Sequence, residues 1–221
     1  MDNKDIFPHI DHTLLRATST AAEIDRLCEE AIEHKTASVC IPACYVKYAH
    51  EKFPQLNICT VIGFPLGYST TAVKCFEAED AVKNGANEID MVINLCDVKN
   101  GDYDKVEAEI TAVRHACSGK LLKVIIETCY LTDEEKIALC GCVTRAGADY
   151  IKTSTGFGTD GARIEDIRLF KEHIGVDVKM KAAGGVRSKD DLEMFLEAGC
   201  ERIGTSSAVK LLLSGESNGG Y

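Results

Sequence analysis

Hydrophobic and polar positions along the chain follow two alternating periods, one typical of strands and the other of helices. Short apolar runs rich in β-branched residues predict strands at 11–14, 37–41, 57–62, 88–94, 121–126, 150–153, 176–182 and 202–205. Apolar residues at helical spacing predict helices at 21–33, 44–51, 71–84, 104–117, 132–146, 164–173, 189–198 and 207–214. Strands and helices therefore alternate from the first strand to residue 214.

This alternation predicts an α/β protein with a parallel sheet, and eight strands favour a single-domain (β/α)8 TIM barrel over residues 1–214. Gly85, Gly147 and Gly199 each follow a helix and precede a strand, as expected at repeated αβ joints. An open doubly wound sheet is the alternative, but no G-x-G-x-x-G follows the first strand. The segment 215–221 is rich in Gly and Ser and is expected to be a flexible tail.

The strands carry more charge than a buried parallel sheet normally tolerates. In each charged strand, the alternation of side chains puts an apolar set on one face, suited to packing under helices, and the charges on the other. We therefore expect six charges to point into the barrel and neutralise one another: Asp90, Lys123, Glu127, Lys152, Lys179 and Lys181. An ion network that serves only stability is the alternative, although active sites usually lie at the carboxyl ends of barrel strands.

Lys152 and Lys181 fall on consecutive predicted strands. Two ammonium groups about 5.5 Å apart, at an effective dielectric constant near 20, repel by about 3 kcal/mol, which lowers the pKa of one lysine by about 2 pH units. Burial acts in the same direction. Because a neutral amine attacks carbonyl groups, the pair predicts Schiff-base chemistry, with the second lysine and Asp90 exchanging protons.

Two glycine-rich turns follow the last two predicted strands, one over 181–187 and the other over 204–207. Backbone N–H groups at such turns bind phosphate, and in barrels the last two loops often form that site. The sequence thus predicts a small phosphorylated substrate.

Composition narrows the class of protein. The net charge of −10 over 221 residues argues against a nucleic-acid or anionic-membrane partner. Neither a signal peptide nor a membrane-spanning run is visible, and the eleven cysteines form no C-x-x-C pair, so we expect a cytoplasmic protein with unpaired thiols. The six histidines form no H-x-H or H-x-x-x-H cluster, and no metal is expected.

The motifs, taken together, resemble those of the deoxyribose-phosphate aldolase family. They are Ile-Asp-His-Thr at 10–13, Glu-Ile-Asp-Met-Val-Ile-Asn at 88–94, Leu-Leu-Lys-Val-Ile-Ile-Glu-Thr at 121–128, Tyr-Ile-Lys-Thr-Ser-Thr-Gly-Phe at 150–157 and Lys-Ala-Ala-Gly-Gly-Val-Arg at 181–187. The resemblance covers almost the whole chain in order. It implies a class I aldolase with a barrel fold and no cofactor, which reversibly cleaves 2-deoxy-D-ribose 5-phosphate to acetaldehyde and D-glyceraldehyde 3-phosphate in deoxyribose catabolism.

The resemblance also implies roles for individual residues. Lys152 would form the Schiff base, Lys181 and Asp90 would transfer protons, and Tyr221 would assist from the end of the chain. Residues implied in substrate binding are Cys40, Asp11, Lys123, Gly156, Gly184, Gly185, Gly204, Ser206 and Ser207. One departure is Phe157, where some members carry a lysine that can meet the phosphate. It predicts an appreciable activity on unphosphorylated deoxyribose.

Three other functions stay open at this point. One is another Schiff-base aldolase or dehydratase that acts on phosphorylated sugars. The second is a non-catalytic barrel that binds a phosphorylated ligand. The third is a thiol-redox protein that uses Cys140 and Cys142. A homo-oligomer is compatible with the sequence, which does not fix the number of subunits.

Overall fold

A computed structural model describes residues 1–214 and contains a closed barrel of eight parallel strands. The strands are β1 Ile10–Thr13, β2 Ser38–Ile41, β3 Ile58–Ile62, β4 Glu88–Val92, β5 Leu121–Ile125, β6 Tyr150–Lys152, β7 Lys179–Ala183 and β8 Arg202–Thr205. Each strand pairs with the next along the chain, and β8 pairs with β1. The predicted (β/α)8 barrel is confirmed.

Helices connect the strands and form the outer layer. The described residues contain α1 Asn3–Ile6, α2 Ala21–His34, α3 Val46–Lys52, α4 Thr71–Lys83, α5 Leu95–Lys99, α6 Tyr103–Ala116, α7 Asp133–Arg145, α8 Ile164–His173, α9 Lys189–Glu197 and α10 Ala208–Ser214. None of these helices is both long and apolar enough to cross a membrane.

Local sequence signals set where the helices begin and end. Thr20 and Thr132 start α2 and α7 with capping boxes, in which the threonine hydroxyl accepts from a backbone N–H and a glutamate carboxylate accepts from the threonine N–H. At the three αβ joints, Gly85, Gly147 and Gly199 adopt positive φ values, which glycine does at little cost. These joints return the chain to the barrel at the predicted positions.

The barrel separates two kinds of buried surface. Ile89, Met91 and Val124 face the apolar layer between strands and helices, and all three are fully buried. Asp90 and Lys123 alternate with them and face the barrel interior, where they are also fully buried. The predicted sorting of apolar and charged faces is therefore correct for β4 and β5.

Three local predictions differ from the structure. Strand β7 starts at Lys179 rather than at residue 176, and Val176 is fully exposed, because the chain turns at Gly175, whose carbonyl oxygen accepts the N–H of Val178. The segment 43–45 is a 3-10 turn that precedes α3. The short helices α1 and α5 were not predicted, since each is too short to show a helical period.

Candidate active site

Asp90 on β4 is the centre of a buried group of charges inside the barrel. Its Oδ2 atom accepts from Lys152 Nζ on β6 and from Lys181 Nζ on β7, both at 2.7 Å. Its Oδ1 atom accepts from Lys123 Nζ on β5 at 2.8 Å. Since β4 pairs with neither β6 nor β7, these contacts cross the interior of the barrel. In the register of β6 and β7, Lys152 lies directly beside Lys181.

The charges continue towards the amino-terminal end of the barrel. Asp11 lies 2.5 Å from Lys181 Nζ and 2.5 Å from a guanidinium nitrogen of Arg202. Glu88 lies 2.5 Å from Lys123 Nζ and 3.0 Å from Arg202. We call these seven residues the lysine cluster: Asp11, Glu88, Asp90, Lys123, Lys152, Lys181 and Arg202.

The cluster has four cations and three carboxylates, so the loss of one proton from a cation would balance its charge. Among residues 1–214, Lys152 has Asp90 as its sole carboxylate partner, whereas each of the other three cations contacts at least two carboxylates. Lys152 is also the one lysine of the cluster whose side chain keeps some exposure, 4%, against none for Lys123 and Lys181. Lys152 is therefore the cation of the cluster with the fewest carboxylate contacts among the described residues.

The pKa directions agree with this assignment of charges. Burial alone would lower the pKa of Lys181, but the carboxylates of Asp11 and Asp90 outweigh burial and raise the pKa above its usual value. Burial alone would raise the pKa of Asp90, yet the three lysines around it hold that pKa well below its usual range. Lys181 therefore stays charged and Asp90 stays ionised near neutral pH.

The position of Asp90 corrects the sequence-based estimate of repulsion. That estimate considered two ammonium groups alone, but the two lysines share one carboxylate oxygen, whose attraction opposes the repulsion between them.

Two of the six charges predicted to share this interior form no ion pair with the lysine cluster in the described residues. Lys179, at the start of β7, is exposed and pairs with Glu201 at 3.2 Å. Glu127 is buried and bonds to Thr155.

Cys40 on β2 and Cys59 on β3 lie next to the cluster. The Cys59 thiol donates to Asp90 Oδ1 at 3.1 Å, and a hydrogen bond from Cys59 lowers the pKa of Cys40. In the described part of the chain, Cys40, Cys59 and Asp90 are the one set of three potential metal ligands, with their ligand atoms within 4.8 Å of one another. Asp90 already accepts from three lysines, so a cation there would compete with them.

A cavity of ≈ 290 Å³ opens where β6, β7 and β8 end. We call it the anion cavity, and its lining residues are Gly156, Gly158, Thr159, Asp160, Gly161, Gly184, Gly185, Val186, Arg187, Gly204, Thr205, Ser206 and Ser207. It brings together six of the nine residues that the resemblance implies in substrate binding: Gly156, Gly184, Gly185, Gly204, Ser206 and Ser207.

Backbone conformation shapes the anion cavity. Gly184 and Gly185 both have positive φ, 76° and 74°, which a residue with a side chain rarely adopts twice in succession. The N–H of Ala162 donates to the carbonyl oxygens of Ala183 and Gly184 at 3.2 and 3.1 Å, which holds the loop after β6 against the turn after β7. The wall is therefore built mainly from backbone and small side chains.

Sequence reasoning missed several members of the two sites. Arg202 and Glu88 extend the lysine cluster, and the charged side chain of Arg187 lies at the anion cavity. Arg187 belongs to the motif at 181–187, so the sequence itself places its charge beside a glycine turn. Phe157 lies between two lining residues, and its ring packs edge-on against Phe64 at 5.3 Å.

Two further expectations concern residues outside these sites. Tyr221 lies outside the described residues. Cys140 and Cys142 are both buried in the helix layer, and burial raises the pKa of Cys140 to about 12. Thiols of this kind react poorly because the thiolate is the reactive form, which weakens the thiol-redox alternative.

Comparison with known proteins adds relatives along the whole chain. Residues 6–215 match the model of the DeoC/LacD family aldolases. The deoxyribose-phosphate aldolase of Clostridium botulinum is 60% identical, with all of both chains covered. That of Clostridioides difficile is 58% identical over 95% of this chain and 96% of its own. The solved tetrameric deoxyribose-phosphate aldolase from Aeropyrum pernix is 34% identical, with a TM-score of 0.88 over 96% of this chain and 92% of its own.

Proposed function

Because this chain belongs to the DeoC/LacD family of aldolases, we propose that it reversibly cleaves 2-deoxy-D-ribose 5-phosphate to acetaldehyde and D-glyceraldehyde 3-phosphate. It is an aldolase, a carbon–carbon lyase, and we assign the Schiff base to Lys152. The observation that carries this assignment is the single carboxylate oxygen that Lys152 shares with the more strongly paired Lys181. One amine in the cluster can release a proton while its neighbours keep theirs.

The reaction starts at the aldehyde carbon of the open-chain sugar. The neutral amine of Lys152 adds to C1, and the carbinolamine loses water to give a protonated Schiff base. The C3 hydroxyl then gives up its proton, the C2–C3 bond breaks, and its electron pair moves to form an enamine. D-glyceraldehyde 3-phosphate leaves, C2 takes a proton, and water hydrolyses the Schiff base to acetaldehyde and the free amine.

Asp90 and Lys181 are the groups that we propose for the proton transfers. Asp90 Oδ2 touches the amine that reacts and the ammonium that stays charged, so a proton can pass between them over 2.7 Å contacts. Asp11 and Lys123 support this pair, since Asp11 contacts Lys181 and Lys123 contacts Asp90. Cys40 lies at the edge of the same group.

The anion cavity is the proposed site for the 5-phosphate. It follows directly from β6, so a short carbon chain attached to Lys152 can reach it through residues 153–156. Its glycine turns favour backbone N–H contacts to phosphate, and Arg187 adds a cation. These features support a phosphorylated substrate over a free sugar.

A substrate panel tests this function against the alternatives. We expect coupled assays to detect cleavage of 2-deoxy-D-ribose 5-phosphate and little or no cleavage or dehydration of other sugar phosphates. Cleavage of a different sugar phosphate would support the related aldolases or dehydratases. Binding of the phosphorylated sugar without turnover, and without an adduct after borohydride reduction, would support the non-catalytic barrel.

We also propose that the chain forms a homo-oligomer. Large apolar side chains are exposed in the loop after β3 and on α4, with Tyr68 66% and Phe76 70% exposed. Leu66 and Val73 are exposed in the same segments. A group of this kind often marks a protein interface, and the relative from Aeropyrum pernix is described as a tetramer.

Analytical ultracentrifugation tests the oligomer. We expect the wild type to sediment as more than one subunit and Phe76→Glu to dissociate, while Ile137→Glu, at another exposed apolar residue, should not. A monomeric wild type would refute the proposal.

The cellular setting that we propose is the cytoplasm. All eleven cysteines are free thiols, which suits a reducing compartment. A thiol count with Ellman's reagent on unfolded protein, freshly purified from such a compartment, should recover all of them.

A further inference from the structure

Glu127 occupies an unusual position next to the anion cavity. It lies two residues after the end of β5, is 2% exposed and has a φ of +53°, a left-handed conformation that is uncommon for a residue with a side chain. Strand alternation predicted that it would face the lysines, but the left-handed backbone interrupts that alternation. Strain of this type persists only where the surrounding contacts hold it.

The carboxylate of Glu127 binds the loop that follows β6. One oxygen accepts the backbone N–H of Thr155 at 3.1 Å, and the other accepts the Thr155 hydroxyl in a short hydrogen bond. The same hydroxyl accepts the N–H of Phe157 at 3.0 Å. Through this chain of bonds, Glu127 fixes the backbone on both sides of Gly156, a lining residue of the anion cavity.

The loop also approaches Glu127 too closely for a side chain at Gly158. A Cβ atom there would lie 2.9 Å from Cys129 Sγ and 3.1 Å from Glu127 Cδ. Gly158 is another lining residue. Two residues of the cavity wall, Gly156 and Gly158, therefore take their positions from contacts made with the segment after β5.

Glu127 itself is not part of the cavity wall. Both of its oxygens are engaged by Thr155, and a carboxylate in direct contact with a phosphate would repel it. Its hydrogen bonds reach the cavity through the Thr155–Gly158 loop.

We propose that Glu127 is a positioning residue that sets the shape of the anion cavity and with it the preference for phosphorylated over free sugar. Its expected effect on sugar kinetics rests on the proposed function, whereas its expected effect on phosphate binding does not. It assigns part of the phosphate specificity to a residue on a different strand connection from any residue that lines the cavity.

Three variants separate the effect of the Glu127 carboxylate from the effect of its positive φ. Glu127→Ala removes the carboxylate, Glu127→Gln keeps the shape with one acceptor oxygen, and Glu127→Gly removes the carboxylate while relieving the positive φ. Glu109→Gln is the control for losing a buried carboxylate elsewhere: Glu109 accepts the N–H of Asn94 and, unlike Glu127, also pairs with the buried Lys74 at 2.9 Å in the helix layer. The glycine variant keeps the test valid if the alanine variant fails to fold.

The kinetic readout is the comparison of phosphorylated and free deoxyribose. We expect Glu127→Ala and Glu127→Gly to raise KM for 2-deoxy-D-ribose 5-phosphate by about tenfold or more, since displaced binding groups lose contacts. The kcat value and the kcat/KM for free deoxyribose should stay within about threefold of wild type. The KM of Glu127→Gln for 2-deoxy-D-ribose 5-phosphate should lie between the values for wild type and Glu127→Ala. Glu109→Gln should leave the ratio of kcat/KM values for the two substrates unchanged.

Inorganic phosphate provides a readout that does not need the reaction. Titration calorimetry should show weaker phosphate binding to Glu127→Gly than to wild type and to Glu109→Gln. Unchanged phosphate binding, or an equal loss of activity on both substrates, would overturn the role of Glu127. If wild type neither cleaves the sugar phosphate nor forms an adduct, the proposed function fails while the phosphate titration still decides on Glu127.

Discussion

The lysine cluster and the anion cavity occupy successive levels of β6, β7 and β8, yet they are built from different chemical groups. The cluster consists of charged side chains inside the barrel that pair with one another. The cavity consists mainly of backbone and small side chains, and its shape depends on glycine turns and loop contacts. The first supplies reactive groups with fixed charges, and the second supplies a shape that selects the substrate.

This difference separates chemistry from specificity. A change in the cluster alters charges that cannot be screened by water, so its effects on rate and stability should be large. A change in the cavity alters the fit of one end of the substrate, so its effects should be smaller and should depend on the phosphate. The expected effects therefore decrease from the cluster to the cavity.

Among changes that leave Lys152 in place, removing the charge of Lys181 should have the largest effect on rate. In Lys181→Met, Asp90 and Asp11 lose the nearer of two cations that they share, and we expect kcat to fall by about 10²–10⁴-fold, as for the loss of a proton-transfer group. Lys179→Met, at an exposed residue of the same strand, should change kcat little and serves as the control. Steady-state kinetics check both. An equally large fall in kcat for Lys179→Met would show that the effect is not specific to the lysine cluster.

Removing the charge of Asp90 should have the largest effect on stability. Asp90→Asn leaves buried ammonium groups without their shared counter-ion, and we expect a loss of about 3–5 kcal/mol in the free energy of unfolding at pH 7. Because the pKa of Asp90 is depressed in the folded state, its stabilisation is present above the unfolded pKa of about 3.9 and is lost as the pH falls towards the folded value.

Urea unfolding at several pH values measures this effect. The gap between wild type and Asp90→Asn should be greatest at neutral pH and should narrow below about pH 4. A gap that does not change with pH would show that the carboxylate charge is not the source of the stability.

Placing a cation beside the cavity should have a moderate effect on specificity. We expect Phe157→Lys to shift the ratio of kcat/KM values towards 2-deoxy-D-ribose 5-phosphate, relative to free deoxyribose, by about fivefold, the equivalent of about 1 kcal/mol for a partly exposed charge contact. Phe157→Met, which removes the ring without adding charge, is the control. An unchanged ratio would mean that residue 157 does not reach the phosphate.

The smallest effect concerns the pH dependence of the stability that Glu127 contributes. Burial raises the pKa of Glu127, so the ionised form is disfavoured in the folded state and its cost appears as the pH rises through the folded pKa. The free-energy gap between wild type and Glu127→Gln should therefore widen from pH 7 to pH 4, the reverse of the trend for Asp90. Parallel trends at the two sites would contradict the contrast between them.

The same contrast explains which residues of the two sites could be predicted from the sequence alone. Strand alternation placed Asp90, Lys123, Lys152 and Lys181 on the inner face, because side chains on a regular strand reverse direction at each residue. It was wrong for Lys179, which lies at the start of β7, and it does not extend to Glu127, which lies beyond the end of β5. Lys179 is at the exposed amino-terminal end of the barrel, and the positive φ of Glu127 breaks the alternation.

The anion cavity was harder to predict from sequence patterns than the lysine cluster. The glycine turns at 184–185 and 204 signalled a site, since their composition is distinctive. The contact between Glu127 and Thr155 joins two strand connections, and no local pattern encodes it. In the same way, Arg202 joins the lysine cluster because the barrel closes β8 onto β1 and thus near Asp11, which follows from the topology rather than from any motif.

The most direct test of the account is to find which lysine reacts. Wild-type protein is incubated with acetaldehyde and sodium borohydride, and the modified peptide is mapped by mass spectrometry. We expect an N-ethyl group on Lys152 in wild type and in Lys181→Met. In Lys152→Ala, we expect no N-ethyl group on the remaining lysines of the cluster. An adduct on Lys181 or Lys123 in wild type, or full activity in Lys152→Ala, would contradict it.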